Sequence, residues 1–282
     1  MKPENHSILI RHETCDTCRK CVQVCPAGIL VQERKKEPIG VEHLENCIVC
    51  GHCADACPTG SLQHSAFPPE TIHPIDYSRM PTPEQVMLLI KSRRSNRALS
   101  AKTVPREKLE QILEAARYAP TASNRQQDSC TVITDPDTLR QIGDFTINVF
   151  DAAAKKLMNP VVRFLFRPFL RQAYQYLPTL QRLKQRHEDG YDPILCKATA
   201  LILFHTPASC HFGCEDSNLA YQNASLMAQS LGVTQIYMGY VIRAIQQDSS
   251  GTFSRITGID EKIHAIMALG IPSFRYLNYT ER

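Results

Sequence analysis

The chain has 282 residues, with 32 Lys and Arg against 28 Asp and Glu, for a formal net charge of +4. Because this charge is small and dispersed, it demands neither nucleic-acid binding nor a polybasic membrane patch. No apolar run approaches the roughly eighteen residues of a transmembrane span. The first residues, Met1 to Glu13, mix charges and lack the apolar core and cleavage site of a signal peptide. We therefore expect a reduced, cytoplasmic protein.

A cysteine motif occurs twice near the start of the chain, and each of its residues recurs 32 positions later. Eight thiolates at this spacing match the bacterial iron–sulfur run, in which three cysteines hold one cluster and the fourth ligates the other. The sequence therefore predicts two [4Fe–4S] clusters. The two copies read Cys15-x2-Cys18-x2-Cys21-x3-Cys25-Pro26-x-Gly28-x-Leu30 and Cys47-x2-Cys50-x2-Cys53-x3-Cys57-Pro58-x-Gly60-x-Leu62.

The Cys-Pro turn that ends each copy is expected to direct the fourth cysteine into the facing half. The first cluster is assigned Cys15, Cys18, Cys21 and Cys57, and the second is assigned Cys47, Cys50, Cys53 and Cys25. Zinc is the main alternative, but zinc knuckles use four ligands per ion and rarely show the third cysteine and the Cys-Pro ending. A disulfide framework is less favoured in a reduced compartment.

A proline-rich stretch follows the cysteine motifs. Pro68, Pro69, Pro74, Pro81 and Pro83 crowd a region with few periodic apolar residues. We interpret residues 67–83 as a semi-rigid linker between a ferredoxin-like domain at 1–66 and a second domain at 84–282. An ordinary connector is the alternative. The second domain is long enough to bury its own core.

A helix is predicted to begin just after this linker. Thr82 offers an N-cap, Pro83 occupies the first helical position and Gln85 completes a capping box. Val86, Leu89 and Ile90 are expected to form the buried stripe of this helix.

The predicted helix leads into Arg93-Arg94-Ser95-Asn96-Arg97. Three guanidiniums around a hydroxyl suit a phosphate monoester, which they can bind through charge-assisted bonds. A solvated arginine face is the alternative.

A second helix is predicted from about Pro105 to Tyr118, with its apolar positions at helical spacing. It is followed by Pro120-Thr121-Ala122-Ser123-Asn124-Arg125-Gln126 and a predicted strand, Cys130 to Thr134. The hydroxyls and side-chain amides of this loop can hydrogen-bond the edge of a flat heteroaromatic ring. The alternative is a turn whose Ser and Asn satisfy the backbone.

Five motifs in this order resemble the nitroreductase family of flavoproteins over residues 84 to 282. With the cysteine motifs in front, the chain resembles fusions of a ferredoxin with a nitroreductase. The motifs are Arg93 to Arg97, Pro120 to Gln126, the segment from Asp216 to Gly232, Ile236 to Gly239, and Ala268-Leu-Gly-Ile-Pro272.

The resemblance implies an α+β fold in which a mixed sheet is surrounded by helices. The sheet is expected to draw on Thr131 to Thr134, Leu201 to His205, Thr234 to Met238 and Ala265 to Leu269. It also implies an intertwined homodimer that binds FMN without a covalent bond.

Site residues carried over from the family fall into three groups. Arg93, Ser95 and Arg97 are expected to hold the FMN phosphate, with Arg94 nearby and Arg275 or, second, Arg282 completing the site. Asn124 is expected at the isoalloxazine edge, with Thr121, Ser123 and Gln126 lining the loop. Tyr237, Met238 and Gly239 are expected against the flavin. No side chain is assigned a catalytic role, because protons can come from solvent.

A variable helical insertion is expected at about 136–193. Within it Arg163, Arg167 and Arg171 recur at every fourth residue beside aromatic and aliphatic positions, and Pro168 should break any continuous helix. A dimer-embracing or lid helix, a membrane-surface helix and a docking site for an acidic electron donor are the open interpretations.

Four cysteines lie outside the repeated motif: Cys130, Cys196, Cys210 and Cys214. Cys210 and Cys214 flank His211, which suggests a metal site, but only three candidate ligands are local and buried free thiols are common.

The predicted function is an FMN-dependent oxidoreductase. A low-potential donor of the ferredoxin or flavodoxin type would reduce the clusters, which pass electrons to FMN and on to a nitroaromatic, quinone or enone. One alternative is an electron-transfer module that relays electrons to a partner protein without small-molecule turnover. Another is a reductase driven by NAD(P)H, which needs no Gly-rich Rossmann fingerprint in this family.

Overall fold

The computed structural model describes residues 6–166 and 168–281. The chain forms two compact units. The first comprises the residues up to Pro81 together with Thr121–Gln126, and the second comprises Thr82–Pro120 and the residues from Gln127 onward. The domain boundaries expected from the sequence at 66 and 83 stay predictions.

The first unit repeats a strand–helix–strand arrangement, and its elements recur 32 residues apart like the cysteines. Strand β1 pairs antiparallel with β4, and β2 pairs antiparallel with β3. Each two-stranded sheet therefore takes one strand from each half of the repeat. The elements are β1 (Ile8–Ile10), α1 (Lys20–Val24), β2 (Leu30–Val31), β3 (Gly40–Val41), α2 (His52–Asp55) and β4 (Leu62–His64).

The core of this unit is small and includes the cysteines. Ile29, Leu30, Ile39 and Leu62 are buried, and most of the motif cysteines pack against them. So small a core leaves the unit dependent on whatever the cysteines bind, as is usual for short domains.

The proline-rich stretch carries little regular structure. It contains two single-turn 3-10 helices, Pro69–Thr71 and Tyr77–Arg79. Every residue from 68 to 88 is exposed. Its role as a semi-rigid linker stays a prediction.

The second unit is built on a four-stranded sheet in the order β5-β6-β8-β7. All four strands lie where the sequence predicts them, with ends that differ by at most three residues. They are β5 (Ser129–Ile133), β6 (Ala200–Thr206), β7 (Thr234–Tyr237) and β8 (Lys262–Gly270).

The strand directions correct one detail of the expected mixed sheet. All three described pairings are antiparallel. Strands β6 and β7 do run parallel to each other, but β8 lies between them and is antiparallel to both. The described sheet is therefore antiparallel throughout, and strands that run in the same direction are never neighbours.

Helices cover both faces of this sheet. Along β6, Leu201 and Leu203 point to one core layer, while Ile202 and Phe204 point to the other. Because the strand is buried on both faces, it reads as a continuous apolar run. The helices of the second unit are α3 (Pro83–Ser92), α4 (Arg106–Arg117), α5 (Pro136–Met158), α6 (Pro160–Phe166), α7 (Arg171–Glu188), α8 (Gly213–Ser230), α9 (Gly239–Ile245) and α10 (Thr252–Thr257).

Each face of the sheet has its own helices. Residues of α4 and α8 share one core layer, and residues of α5, α9 and α10 share the other. None of the helices in the described parts of the chain is both long and apolar enough to cross a membrane.

The N-terminus of α3 is capped as expected, but its apolar stripe is not buried. Thr82 and Gln85 form the reciprocal capping box. Val86 is 40% exposed and Ile90 is 46% exposed, and Leu89 is only partly covered. The predicted buried stripe is therefore wrong for a single chain, in which α8 is the main helix against α3.

The insertion consists of α5, α6 and α7. Pro168 lies between α6 and α7, as its helix-breaking character predicts. Arg163 is exposed, whereas Arg167 lies outside the described residues.

Replacing Leu203 by Ala should destabilise the second unit by about 2–5 kcal/mol, because a fully buried side chain leaves a cavity. Leu277→Ala is the matched control, since that side chain is 94% exposed. Urea denaturation followed by circular dichroism should show a lower midpoint for the first variant only. Equal midpoints would contradict the assigned core.

Candidate cofactor sites

The eight motif cysteines of the first unit gather into two groups of four. Burial raises the pKa of Cys21, and the nearby Cys57, Cys15 and Cys18 add to this rise. The same four cysteines line one cavity, together with Ile10, Ile39 and Leu62.

The second group forms around Cys53. Burial raises the pKa of Cys53 to about 11, and Cys50, Cys47 and Cys25 add to the rise. Each group thus contains the last cysteine of the opposite half. Soft thiolates in fours are the ligands that [4Fe–4S] clusters use.

The cysteine loops adopt left-handed backbone conformations at equivalent positions of the repeat. Thr17 and Val49 have φ of 51° and 53°, and Gly28 and Gly60 have φ of 65° and 63°. For Val49, a β-branched residue, this conformation is strained. It allows the backbone N–H of Val49 to donate to Cys47 Sγ at 3.4 Å. The loops are therefore shaped around the sulfurs.

A histidine that no sequence motif indicated lies next to the second group. His64 Nε2 lies 3.6 Å from Cys47 Sγ, and His6, Cys47 and His64 are close enough to one another to share a metal ion. The 32-residue repeat could have pointed to His64, because it aligns this residue with Gln32 and leaves the two halves different there.

The loop Thr121–Gln126 packs within the first unit. Ser123, Asn124 and Gln126 have φ of 52°, 49° and 50°. Asn124 Nδ2 donates to the carbonyl oxygens of Ile48 at 3.2 Å and Val49 at 2.6 Å. The side-chain donor of Asn124 is thereby used by the second cysteine loop.

Gln126 makes two hydrogen bonds within the Thr121–Gln126 loop, and these hold the side chain of Asn124 and close the loop. Its Nε2 donates to Asn124 Oδ1 at 3.0 Å, and its backbone N–H donates to Thr121 Oγ1 at 3.0 Å. The expected roles of Thr121, Ser123, Asn124 and Gln126 at a flavin edge stay predictions.

The arginine motif of the second unit lies beside the segment after β8. Asn96 is buried and donates from Nδ2 to Phe274 O at 2.9 Å, and Ser273 N donates to Ala98 O at 2.8 Å. These bonds bring Arg94 and Arg275 to the walls of one cavity of about 250 Å³.

Gly232 forms part of the same wall and must be small. Its φ is 69°, and an added Cβ would lie 3.0 Å from Arg275 Nη2. A side chain there would push the guanidinium out of the cavity, so the turn after α8 has a reason to carry glycine.

The other arginines of the motif lie in different surroundings. Arg93 and Arg94 line a second cavity of about 370 Å³. Burial raises the pKa of Tyr221, and Arg93 is near enough to oppose that shift. Arg97 is exposed and donates to Ser95 O at 3.4 Å.

Among the residues described, none of Arg93, Arg94, Arg97 and Arg275 forms an ion pair with a carboxylate. Arg94 instead donates to Thr280 Oγ1. Glu281 lines the second cavity beside Arg93 and Arg94, whereas no carboxylate lines the cavity between Arg94 and Arg275. That first cavity therefore suits an anion such as a phosphate. Arg282, the second candidate at the chain end, lies outside the described residues.

Strand β7 connects the arginine cavity to the segment expected against a flavin. Thr234 lines the cavity and donates from Oγ1 to Arg94 O at 3.5 Å. At the far end Tyr237 is 41% exposed, and its hydroxyl donates to Asn218 Oδ1 at 3.3 Å. Met238 is buried, and the space that a side chain at Gly239 would occupy is open.

The cysteines outside the motifs do not assemble a metal site. Burial raises the pKa of Cys130 to about 12, with Asp128 adding to the rise, and burial also raises the pKa of Cys196. Cys210 and Cys214 do not come together with His211 as a metal-ligating group in the described parts of the chain. The described geometry therefore gives the metal hypothesis for this segment no support, and the free-thiol interpretation is retained.

Two family models match the chain. The model described as "Nitroreductase family" matches residues 90–271, and the model described as "4Fe-4S dicluster domain" matches residues 14–62. No curated protein sequence matches.

Solved structures share the fold of the larger unit. A nitroreductase with bound FMN from Bacteroides fragilis has a TM-score of 0.53 and 21% identity, covering 70% of this chain and 95% of that one. A nitroreductase with bound FMN from Desulfitobacterium hafniense has a TM-score of 0.54 and 19% identity, covering 70% and 93%. An FMN-dependent nitroreductase from Clostridium difficile has a TM-score of 0.52 and 17% identity, covering 71% and 97%.

The substitution Asn124→Asp should loosen the second cysteine loop. It keeps the size of the side chain and its tolerance of a positive φ, but it replaces the donor to Ile48 and Val49 by an acceptor. Amides of residues 48–53 should exchange with deuterium roughly tenfold faster, which corresponds to about 1.4 kcal/mol. Arg125→Ala on the same loop is the control, and unchanged exchange in both variants would contradict the tether.

Proposed function

Since the chain belongs to the nitroreductase family and carries a 4Fe-4S dicluster domain near its N-terminus, we propose that it is an FMN-dependent oxidoreductase fed through two [4Fe–4S] clusters. Electrons from a low-potential donor would pass through the clusters to FMN and on to a small organic acceptor such as a nitroaromatic, quinone or enone. The observation that carries this proposal is the presence, in one oxidoreductase chain, of two cysteine quartets and an arginine-lined pocket free of carboxylates.

The two quartets fit two clusters. Each contains four thiols, as a cubane requires, and the Val49 N–H already points to a sulfur. Cys15, Cys18, Cys21 and Cys57 would hold one cluster, and Cys47, Cys50, Cys53 and Cys25 the other. The exchange of the fourth ligand places both clusters in one small unit, where electrons can move between them.

The arginine pocket fits the phosphate of FMN. Arg94 and Arg275 line it, Gly232 leaves room for the guanidinium, and Arg93 opens on a neighbouring cavity. Arg97 and Ser95 complete the proposed set. A phosphate would supply the anionic partner that these guanidiniums lack among the described residues.

The ring of the flavin would then lie toward the end of β7. Tyr237, Met238 and the open space at Gly239 support this placement. When bound, FMN supplies the conversion between one-electron and two-electron transfer. The protein needs only to bind and orient it, because solvent can supply protons.

A homodimer would explain the exposed apolar row of α3. Val86, Met87, Leu88 and Ile90 are all at least 40% exposed in the single chain. A helix with so many exposed apolar side chains is usually covered by another surface. We propose that a second copy of the chain covers it.

Two alternatives remain. In the first, the chain relays electrons to a partner protein without turning over small molecules. In the second, NAD(P)H replaces the ferredoxin or flavodoxin donor and reduces the flavin directly. A cytoplasmic location stays a prediction.

Arg94→Gln and Arg275→Gln should each weaken FMN binding by tenfold or more, because a hydrogen bond to a charged group contributes about 1.5–3 kcal/mol. Fluorescence titration of the flavin-free protein would measure the affinity. Arg117→Gln removes the same charge from the last turn of α4, outside the arginine cavities, and should leave the affinity unchanged. If both pocket variants bind FMN with wild-type affinity, the phosphate site is not in this cavity.

The intact protein should contain about eight iron atoms per chain, and Cys21→Ala and Cys53→Ala should each lose about four. Both variants should slow reduction of the flavin by reduced ferredoxin in anaerobic stopped-flow measurements. Cys214→Ala is the control, because this exposed cysteine lies outside both quartets.

The donor decides between the main proposal and its nicotinamide alternative. If NADH or NADPH reduces the flavin equally fast in wild type and Cys53→Ala, and ferredoxin does not reduce it, the cluster route is refuted. The clusters would then act as an exit for electrons.

A further inference from the structure

His64 occupies a buried position at the end of β4. Its side chain is only 2% exposed. The ring stacks on His6 with centroids 5.4 Å apart and an interplanar angle of 7°, and it packs against Phe67 at 5.0 Å. Two aromatic neighbours therefore hold the imidazole in one orientation.

The hydrogen bonds of His64 define its tautomer. The backbone N–H of Ala66 donates to Nδ1 at 3.1 Å, and an N–H can only donate. Nδ1 must therefore carry the lone pair, and the ring proton is on Nε2. This nitrogen lies 3.6 Å from Cys47 Sγ, so the imidazole donates to the sulfur.

The equivalent position in the first half of the repeat behaves differently. Gln32 is also buried, but its Nε2 donates to the carbonyl oxygens of Glu37 and Thr17. It makes no hydrogen bond to Cys15, the counterpart of Cys47, within the described structure. The two cysteine groups therefore differ at this position of the repeat. The first group has a different neighbour of its own, because Thr59 Oγ1 lies 3.7 Å from Cys57 Sγ and the counterpart of Thr59 is Ala27.

We propose that His64 raises the reduction potential of the cluster that Cys47, Cys50, Cys53 and Cys25 would hold. Reduction adds one electron whose charge spreads over the sulfurs, so a donor to Cys47 Sγ stabilises the reduced state more than the oxidised state. The proton would stay on His64 Nε2, and the proposed low-potential donor would supply the electron. This inference rests on the proposed two-cluster function.

Asn124 holds the same cysteine loop. Its side chain donates to the carbonyl oxygens of Ile48 and Val49, the two residues that follow Cys47 in the chain. The cluster that His64 would tune therefore belongs to the half of the repeat that the Thr121–Gln126 loop contacts.

The test uses the full chain with both clusters reconstituted. His64→Phe keeps an aromatic ring between His6 and Phe67 and removes the donor. In a redox titration followed by electron paramagnetic resonance, we expect one of the two midpoint potentials to fall and the other to stay in place. At a fixed potential the reduced fraction should change about tenfold, which is about 59 mV for one electron. Gln32→Leu is the matched control and should leave that midpoint in place.

A second measurement uses wild-type protein and does not require the His64→Phe variant to assemble its clusters. In wild type labelled with 15N-histidine, the reduced second cluster should show a nitrogen coupling by pulsed resonance. The proposal is overturned if His64→Phe leaves both midpoints unchanged or lowers both equally. If that variant fails to assemble, absence of the nitrogen coupling in wild type overturns it. Failure of the underlying function looks different, because wild-type protein would then lack one or both clusters by iron content.

Discussion

The exchange of parts between the two halves of the cysteine repeat is the constraint on which the first unit depends. Strands pair across the halves, and each quartet takes its last thiol from the other half. Neither half can satisfy its backbone or complete its ligand set alone. The two halves are not chemically identical, however. His64 lies against Cys47 Sγ, whereas Gln32, at the equivalent position of the first half, donates to a backbone carbonyl.

In the second unit the comparable constraint is a sheet buried on both faces. Strands β6 and β8 send alternate residues into two separate core layers, so nearly every position must be apolar. The turns that leave this sheet carry the polar chemistry. The segment after β8 returns to the arginine motif, and β7 runs from the arginine cavity to Gly239. The sheet thus sets the distance between the proposed phosphate-binding end and the proposed ring-binding end.

Much of this was readable from the sequence, for identifiable reasons. Buried strands produce apolar runs, a capping box is local at Thr82 and Gln85, and cysteine spacing is dictated by the cluster. The errors concern long-range relations. Sequence periodicity marks the apolar row of α3 but does not say which chain covers it. It also could not show that β8 separates β6 from β7, nor that the amide of Asn124 bonds to the backbone of Ile48, 76 residues away.

The grouping of Thr121–Gln126 with the cysteine repeat bears on how such a fusion could be inherited. A chain cut after Pro81 would retain every cysteine of the repeat yet lose the amide that satisfies the carbonyls of Ile48 and Val49. The flavin-fold portion, left alone, would keep a loop with three residues at positive φ and without the carbonyls that its asparagine binds. The cysteine repeat and the flavin-fold portion therefore cannot be exchanged independently of each other. A ferredoxin substituted from elsewhere would have to bring a loop backbone that this asparagine can recognise.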